Sequence, residues 1–394
     1  MTRGGAPSHH RHVRSREDES RGAHAMSAQR QLAAHIAASR HARIQRSLAL
    51  ATGVLSALVL LTAGSGWILA DYVSSRLARV NAGTSGAPAG GPLNILLAGV
   101  DVRSGLTPRQ QRILHVGHAT GHNSDTLMVV HITADRRHVE VVSLPRDSWV
   151  RIPGFGMNKI NAAFGLGGPA LMVRTVEQVT GLTVNDFVEV NFLGFVKIID
   201  ALGGVSVCLP YAVDDSYSGL HLSAGRHHVN GITALKFARD RHSFPLSDLT
   251  RIGDQQQLLA SVLTEAISSG TLTDPVRFAR FLDAATSATT VDRHLSVSGL
   301  ADQLRFVRPA DVTFTTVPLA STSYLTPTGE SAVLWNASAA RALFTQVRTD
   351  RLIERRRHGS HHAASRSGHR HRPAPGPPSV WQAGRKTAAQ AACH

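Results

Sequence analysis

Short apolar runs punctuate this chain from Leu93 onward, and between them apolar residues recur every three or four positions. Runs suited to strands lie at 93–99, 126–132, 139–144, 149–152, 187–191, 205–209 and 312–319. Helical spacing fits 169–179, 192–202, 232–239, 255–268, 275–285, 297–306 and 338–347. Two of these helices carry stop signals, Gly181 after the first and Gly203-Gly204 after the second. Alternating strands and helices predict a layered α/β fold, a central and mostly buried β-sheet flanked by helices. The region 92–350 is long enough to bury one substantial core.

Ahead of that region one run breaks the pattern. Residues 48–70 carry no charge, and about 20 apolar residues suffice for a helix to cross a hydrocarbon core. A signal peptide would need a shorter apolar run and a shorter leading arm, so the expectation is one N-terminal transmembrane helix. Nine arginines against three acids occupy residues 1–47, whereas 71–93 holds two arginines and one acid. The positive-inside rule places the arm in the cytoplasm and everything after residue 71 outside, in a single-pass cell-membrane protein.

The net charge of +15 changes meaning once it is divided. Residues 351–394 hold nine basic residues and one acid, so the two ends carry nearly all of the charge and 48–350 is almost neutral. A basic end outside the membrane suits anionic lipid or wall polymer and not nucleic acid. By composition, 1–47 reads as a disordered basic arm, 71–91 as a flexible linker and 351–394 as a disordered His/Arg/Pro-rich tail. With two cysteines in the chain, the expectation is a buried Cys208 and an unpaired Cys393.

The chemistry-bearing residues gather where apolar runs end. Asp101 follows the run 94–100, with Arg103 just beyond, and Asp125 precedes the run that opens at Thr126. Leu144-Pro-Arg-Asp147 closes the next run and carries Arg146. Arg239 and Arg241 end a short helix, and Arg251 and Gln255 follow a Pro-containing loop. Lys159 and Asn161 precede a Gly-rich turn, Gly167-Gly168, whose amides suit either an anion or a plain turn. Two carboxylates with several guanidinium forks suit a diphosphate held with a divalent cation. A Walker loop, a His-Glu-x-x-His motif and a Gly-x-Ser-x-Gly elbow are all missing from the sequence.

These segments together resemble the LytR-CpsA-Psr family of membrane-anchored cell-wall enzymes. The match runs through Val100-Asp-x-Arg103, Ser124-Asp-Thr126, Leu144-Pro-Arg-Asp147, Lys159-Ile-Asn-Ala-Ala-Phe164, Ile199-Asp-x-Leu-Gly-Gly-Val205 and Ala238-Arg-x-Arg-His242. The resemblance implies a phosphotransferase that moves a glycopolymer from a polyprenyl-diphosphate carrier onto peptidoglycan. It implies Mg²⁺ (or Mn²⁺) at Asp101 and Asp125, and diphosphate binding and catalysis by Arg146, Arg239, Arg241 and Arg251. Gln255 lies near these arginines, and Arg103, Lys159 and Asn161 complete the candidate substrate contacts. The resemblance also implies an apolar tunnel for the polyprenyl tail, and the apolar faces of 164–173 and 192–199 suit either its lining or plain core packing. Asn123 and Asp254 stand where the family commonly carries Arg. The rival readings are hydrolysis of the same diphosphate and a non-catalytic wall-polymer or lipid binder.

Overall fold

The computed structural model describes residues 75–351, apart from 89, 102–106, 115–123, 241–246, 269–270 and 272–273, together with 386–391. The expected membrane span at 48–70 lies outside them. Among the described residues, no helix is long and apolar enough to cross a membrane.

In chain order the first elements are β1 (Ala78–Val80), β2 (Leu93–Val100), α1 (Pro108–Ile113), β3 (Ser124–Ile132) and β4 (Val139–Ser143). The hairpin β5 (Trp149–Ile152) and β6 (Gly156–Lys159) leads into α2 (Ala162–Thr180), β7 (Asp186–Asn191) and α3 (Phe192–Ala201). Four short strands follow: β8 (Val205–Leu209), β9 (Val213–Asp215), β10 (Leu220–Leu222) and β11 (Gly225–Val229). Then come α4 (Gly231–Arg239), α5 (Ser247–Ser268), α6 (Pro275–Ala288), β12 (Thr289–Asp292) and α7 (Val297–Leu304). The last elements are β13 (Val312–Thr316), β14 (Leu319–Leu325), β15 (Ser331–Trp335), α8 (Ala337–Arg348), β16 (Lys386–Thr387) and α9 (Ala388–Ala391).

Eight strands form one mixed sheet in the order β1-β12-β7-β2-β3-β4-β13-β16. Strand β2 runs parallel to β7 and antiparallel to β3, so these three sit at its centre. Alternation along β2 divides the two faces. Leu96, Ala98 and Val100 pack into a dry core with Leu171, Met172 and Val176 of α2 and Phe344 and Val347 of α8. Leu97 and Gly99 face the other side, beneath α3, α4 and α5. The expected layered α/β fold is the observed one.

Local chemistry starts and stops these helices. Asn191 caps α3 by accepting from Gly194 N at 2.8 Å, and Asn230 caps α4 by accepting from Thr233 N at 3.0 Å. Gly181 ends α2 in the left-handed region, φ 67°. Gly231 allows α4 to cross α3 closely, because a Cβ there would lie 2.3 Å from the Val196 carbonyl oxygen.

Several expected elements are revised. Helix α2 starts at Ala162, ahead of the expected 169, and bends at Gly167 and Gly168, where φ and ψ leave the helical region. The single run 312–319 is two strands, β13 and β14, separated at Val317-Pro318. Part of the expected flexible linker is ordered. Ala82 is fully buried and donates its N–H to Asp292 Oδ2 at 2.8 Å, and Gly86 N donates to Asn185 O at 2.9 Å.

The expected disordered tail is also revised. Within 351–394, residues 386–391 return to the sheet. Strand β16 pairs with β13, and α9 buries Ala388 against Phe314 and Ala260. Cys208 is disulfide-bonded, not free, and Cys393 is the chain's other cysteine. Composition misses this return because a six-residue segment, three of whose residues are alanine, orders only against a partner surface.

Candidate functional site

Asp101 and Asp125 leave adjacent antiparallel strands at the same sheet edge. A register shift at Gly99–Val100 sets Val100 opposite Ser124, and Asp101, the next residue, is 8% exposed. Ser124 Oγ pins this edge by donating to Thr126 O at 2.8 Å. Strand ends where loops leave a rigid sheet are common positions for sites in α/β folds.

Arg146 reaches the edge from the loop after β4. Its Nη1 donates to Asp125 Oδ1 at 2.5 Å, and its Nε donates to Asp147 Oδ2 at 3.2 Å. The Arg146 carbonyl accepts from Asn161 N at 3.1 Å, so Asn161 holds this loop through its backbone. As first residue before α2, Asn161 makes no side-chain cap bond. Lys159 Nζ lies 3.8 Å from Asp147 Oδ1, one shell removed from Arg146.

The helices supply the rest. Arg239, at the end of α4, stacks over the Phe192 ring at 5.4 Å and donates Nη1 to Leu114 O at 3.0 Å. Gln255 donates Nε2 to Ala238 O at 3.5 Å. Arg251 lies one helical turn before Gln255 on α5 and is buried. The three consecutive glutamines point three ways. Gln256 turns under the sheet, donating to Ser143 Oγ at 2.9 Å, while Gln257 accepts from Cys208 N at 3.1 Å. Only Gln255 faces the site.

Asp125, Arg239 and Gln255 border a cavity of about 230 Å³. Its floor is the sheet face of Val190, Leu97, Gly99, Thr126 and Met128. Its roof is Phe192, Phe195 and Ile198 of α3, Leu235 and Ala238 of α4, and Leu258, Leu259 and Val262 of α5. Asp125, Arg239 and Gln255 join the same lining. Along α5 the lining changes from Gln255 to Val262, seven residues or about 10 Å of helix. The cavity thus joins a charged rim to an apolar interior. The expected lining from 192–199 is present. The segment 164–173 instead packs Phe164, Leu171, Met172 and Val173 into the dry core on the opposite face.

Asp254 bears on the charge of the site. Burial, and next the neighbouring Asp240 carboxylate, push its carboxyl up to about 8. Near neutral pH it therefore favours the protonated form and adds little negative charge to α5. That removes the added negative charge, while the positive charge of an arginine at this position is still absent.

Of the candidate residues, Asp101 and Asp125 stand at adjacent strand ends, Arg146 pairs with Asp125, and Arg239 and Gln255 share the cavity lining with Asp125. Lys159 and Asn161 hold the Arg146 loop, and Arg251 is buried one turn before Gln255. Arg103, Arg241 and Asn123 lie outside the described residues. Sequence reasoning missed Phe192 as the face beneath Arg239, and missed Leu114 as its carbonyl partner. An aromatic directly after a strand end was the available signal for Phe192; Leu114 had none.

Among known proteins, the chain is 33% identical over 330 residues to the cell wall biosynthesis protein LcpA of Corynebacterium glutamicum, covering 74% of this chain and 64% of that protein. The chain therefore spans just under two thirds of that relative. It is 36% identical over 187 residues to the polyisoprenyl-teichoic acid–peptidoglycan teichoic acid transferase TagU of Oceanobacillus iheyensis, covering 46% and 53% of the two chains. The crystal structure of Bacillus subtilis TagV superposes with a TM-score of 0.54 at 24% identity, covering 67% of this chain and 98% of that one. This last likeness concerns the fold. The family model described as LytR_cpsA_psr matches residues 72–348. The chain belongs to the LytR_cpsA_psr family.

Proposed function

We propose that this protein is a phosphotransferase of the cell envelope, which moves a glycopolymer from a polyprenyl-diphosphate carrier onto peptidoglycan. One observation carries the reading: a single cavity joins an apolar interior to a rim of Asp125, Arg239 and Gln255. An apolar chain with an anionic head is the ligand chemistry that fits both ends. The names of LcpA and TagU support it, since both belong to wall construction.

Arg146, Arg239 and Arg251 would hold the non-bridging oxygens of the diphosphate through planar, permanently charged forks. Asp101 and Asp125 are two hard oxygen donors on adjacent strand ends, a set that fits Mg²⁺. When bound, the cation would supply neutralisation of the diphosphate charge. The acceptor sugar hydroxyl forms a bond to the phosphorus that bears the glycan. The bond from that phosphorus to polyprenyl phosphate breaks, and the hydroxyl proton is lost to solvent or a carboxylate. The uncharged run 48–70 would anchor the protein with its domain outside the membrane.

The test is release of polyprenyl phosphate from a synthetic lipid-diphosphate glycan, with peptidoglycan as acceptor, across a Mg²⁺ titration. Transfer leaves a covalent polymer–glycan link, and hydrolysis leaves none. The parent is expected to form that link, Arg239→Lys to lose binding and turnover together, and Asp125→Asn to shift the Mg²⁺ requirement. Release without linkage would make the protein a hydrolase. No release would make it a binder.

A further inference from the structure

Two carboxylates share the guanidinium of Arg146, and they have different duties. Asp125, which takes Nη1, lines the cavity; Asp147, which takes Nε, is not among the lining residues. The second oxygen of Asp147 faces Lys159 Nζ at 3.8 Å, and that Nζ lies 3.8 Å from Glu330 Oε2. Charge therefore alternates from Asp125 through Arg146, Asp147 and Lys159 to Glu330. From Arg146 outward, exposure rises along the same path. The Arg146 and Asp147 side chains are each 15% exposed, whereas Glu330 is 58% exposed.

The backbone of Asp147 is tied down from another part of the chain. Its carbonyl accepts from Val333 N at 2.9 Å. Its neighbour Ser148 donates Oγ to Pro145 O at 2.6 Å and accepts from Trp335 Nε1 at 2.7 Å. The Asp147 carboxylate thus stands on a loop that is held by β15 at Asp147 itself, as well as by β3 where the loop begins, Leu144 N donating to Leu127 O at 2.8 Å.

We propose that Asp147 is a positioning residue: it fixes the Nε edge of Arg146, so that the guanidinium stays at the strand ends when Asp125 engages a divalent cation. This rests on the function proposed above. A carboxylate oxygen that binds a cation is a poorer partner for a guanidinium, and an arginine side chain released on one side regains much rotamer freedom. With Asp147 in place, Arg146 keeps a carboxylate on its Nε edge when Asp125 turns to the cation. Partners one shell behind a metal ligand commonly act in this way. The exposed outer link from Lys159 to Glu330 is screened by solvent and adds little.

The experiment measures binding of a short-chain polyprenyl diphosphate to the full chain in detergent micelles, in Mg²⁺ and in EDTA. Asp147→Asn is expected to weaken binding about tenfold in Mg²⁺ and less than about threefold in EDTA, where Asp125 still holds Arg146. Asp147→Glu keeps the charge and is expected to recover part of the Mg²⁺-dependent affinity. Glu330→Gln is expected to change neither value by more than about twofold. Parental affinity in Asp147→Asn, an equal loss in both buffers, or no recovery in Asp147→Glu would overturn the proposal. Should the parent fail to bind the diphosphate at all, the functional reading falls, and a ligand-free signal decides the positioning role. The ¹⁵N-resolved Arg146 Nε–H, assigned with Arg146→Lys, should exchange slowly in the parent and fast in Asp147→Asn. Equal exchange would sink the inference whichever way binding falls.

Discussion

The two faces of strand β2 belong to one stretch of eight residues, yet they were built to different rules. On one face Leu96, Ala98 and Val100 meet α2 and α8 in close packing. On the other, Leu97 and Gly99 look into about 230 Å³ of space beneath α3, α4 and α5. The first face gains the full transfer free energy of its apolar side chains; the second forgoes part of it. The cavity side also carries the awkward groups, a buried Arg251 and the carboxyls of Asp240 and Asp254. Stability is concentrated behind the sheet, and chemistry in front of it.

The largest expected effect breaks the packed face. Phe344 is 2% exposed and packs beside Trp335, with ring centroids 6.0 Å apart. Phe344→Ala should cost about 3–5 kcal/mol, read from the urea midpoint. A loss below about 1 kcal/mol would mean that the face is looser than drawn.

Next in size is the far end of the cavity side, where the C-terminal return closes the sheet edge. Removing residues 386–394 uncovers Phe314 and takes away β16 and the chain's second cysteine. The expected loss is about 2–4 kcal/mol. Full recovery of the parental midpoint in the truncated chain would make this segment an ornament.

Legibility followed a different division, between local pattern and long-range partners. Strands that feed a buried core, such as 139–143 and 149–152, were plain in the sequence because apolar runs bounded by breakers leave few alternatives. Asp101, Asp125, Arg146, Arg239 and Gln255 could also be found, since each stands at the end of such a run or within a family motif. What stayed hidden depended on long-range partners. Lys386–Thr387 becomes a strand only because β13 offers an edge, and Ala82 is buried only because Asp292 accepts its N–H. Similarly, nothing local distinguishes the directions of Gln255, Gln256 and Gln257; only a helix packed on a sheet sorts them.

A smaller effect sharpens the contrast by filling the space. Ala238 lines the cavity on α4. Ala238→Phe should leave stability within about 1 kcal/mol, because the ring enters existing space. It should weaken binding of a polyprenyl diphosphate more than about tenfold, or about 1.4 kcal/mol. The reverse outcome, a collapsed fold with unimpaired binding, would place the ligand elsewhere.

The smallest expected effect concerns the charge the cavity side tolerates. Asp254 ordinarily would titrate at 3.8, and in the fold burial and Asp240 raise it to about 8. Between those values the folded chain holds a proton that the unfolded chain has released, so stability falls as pH rises from about 4 to about 8 and then levels. Asp186, at the opposite end of β7, is raised to about 6 by burial and then by Asp292, and its own decline ends there. Burial lowers His131 from its ordinary 6.5, which adds an opposite slope in the lower part of the window from pH 6 to 8, alike in parent and variant, so the difference between the two proteins reports Asp254. Asp254→Asn should gain stability over the parent across that window, by about 1 kcal/mol after allowance for its partial exposure. Its advantage should be constant above pH 8 and vanish toward pH 4. Urea midpoints that run parallel for the two proteins from pH 6 to 8 would show that Asp254 is already ionised, and that the cavity side bears a full negative charge beside its arginines.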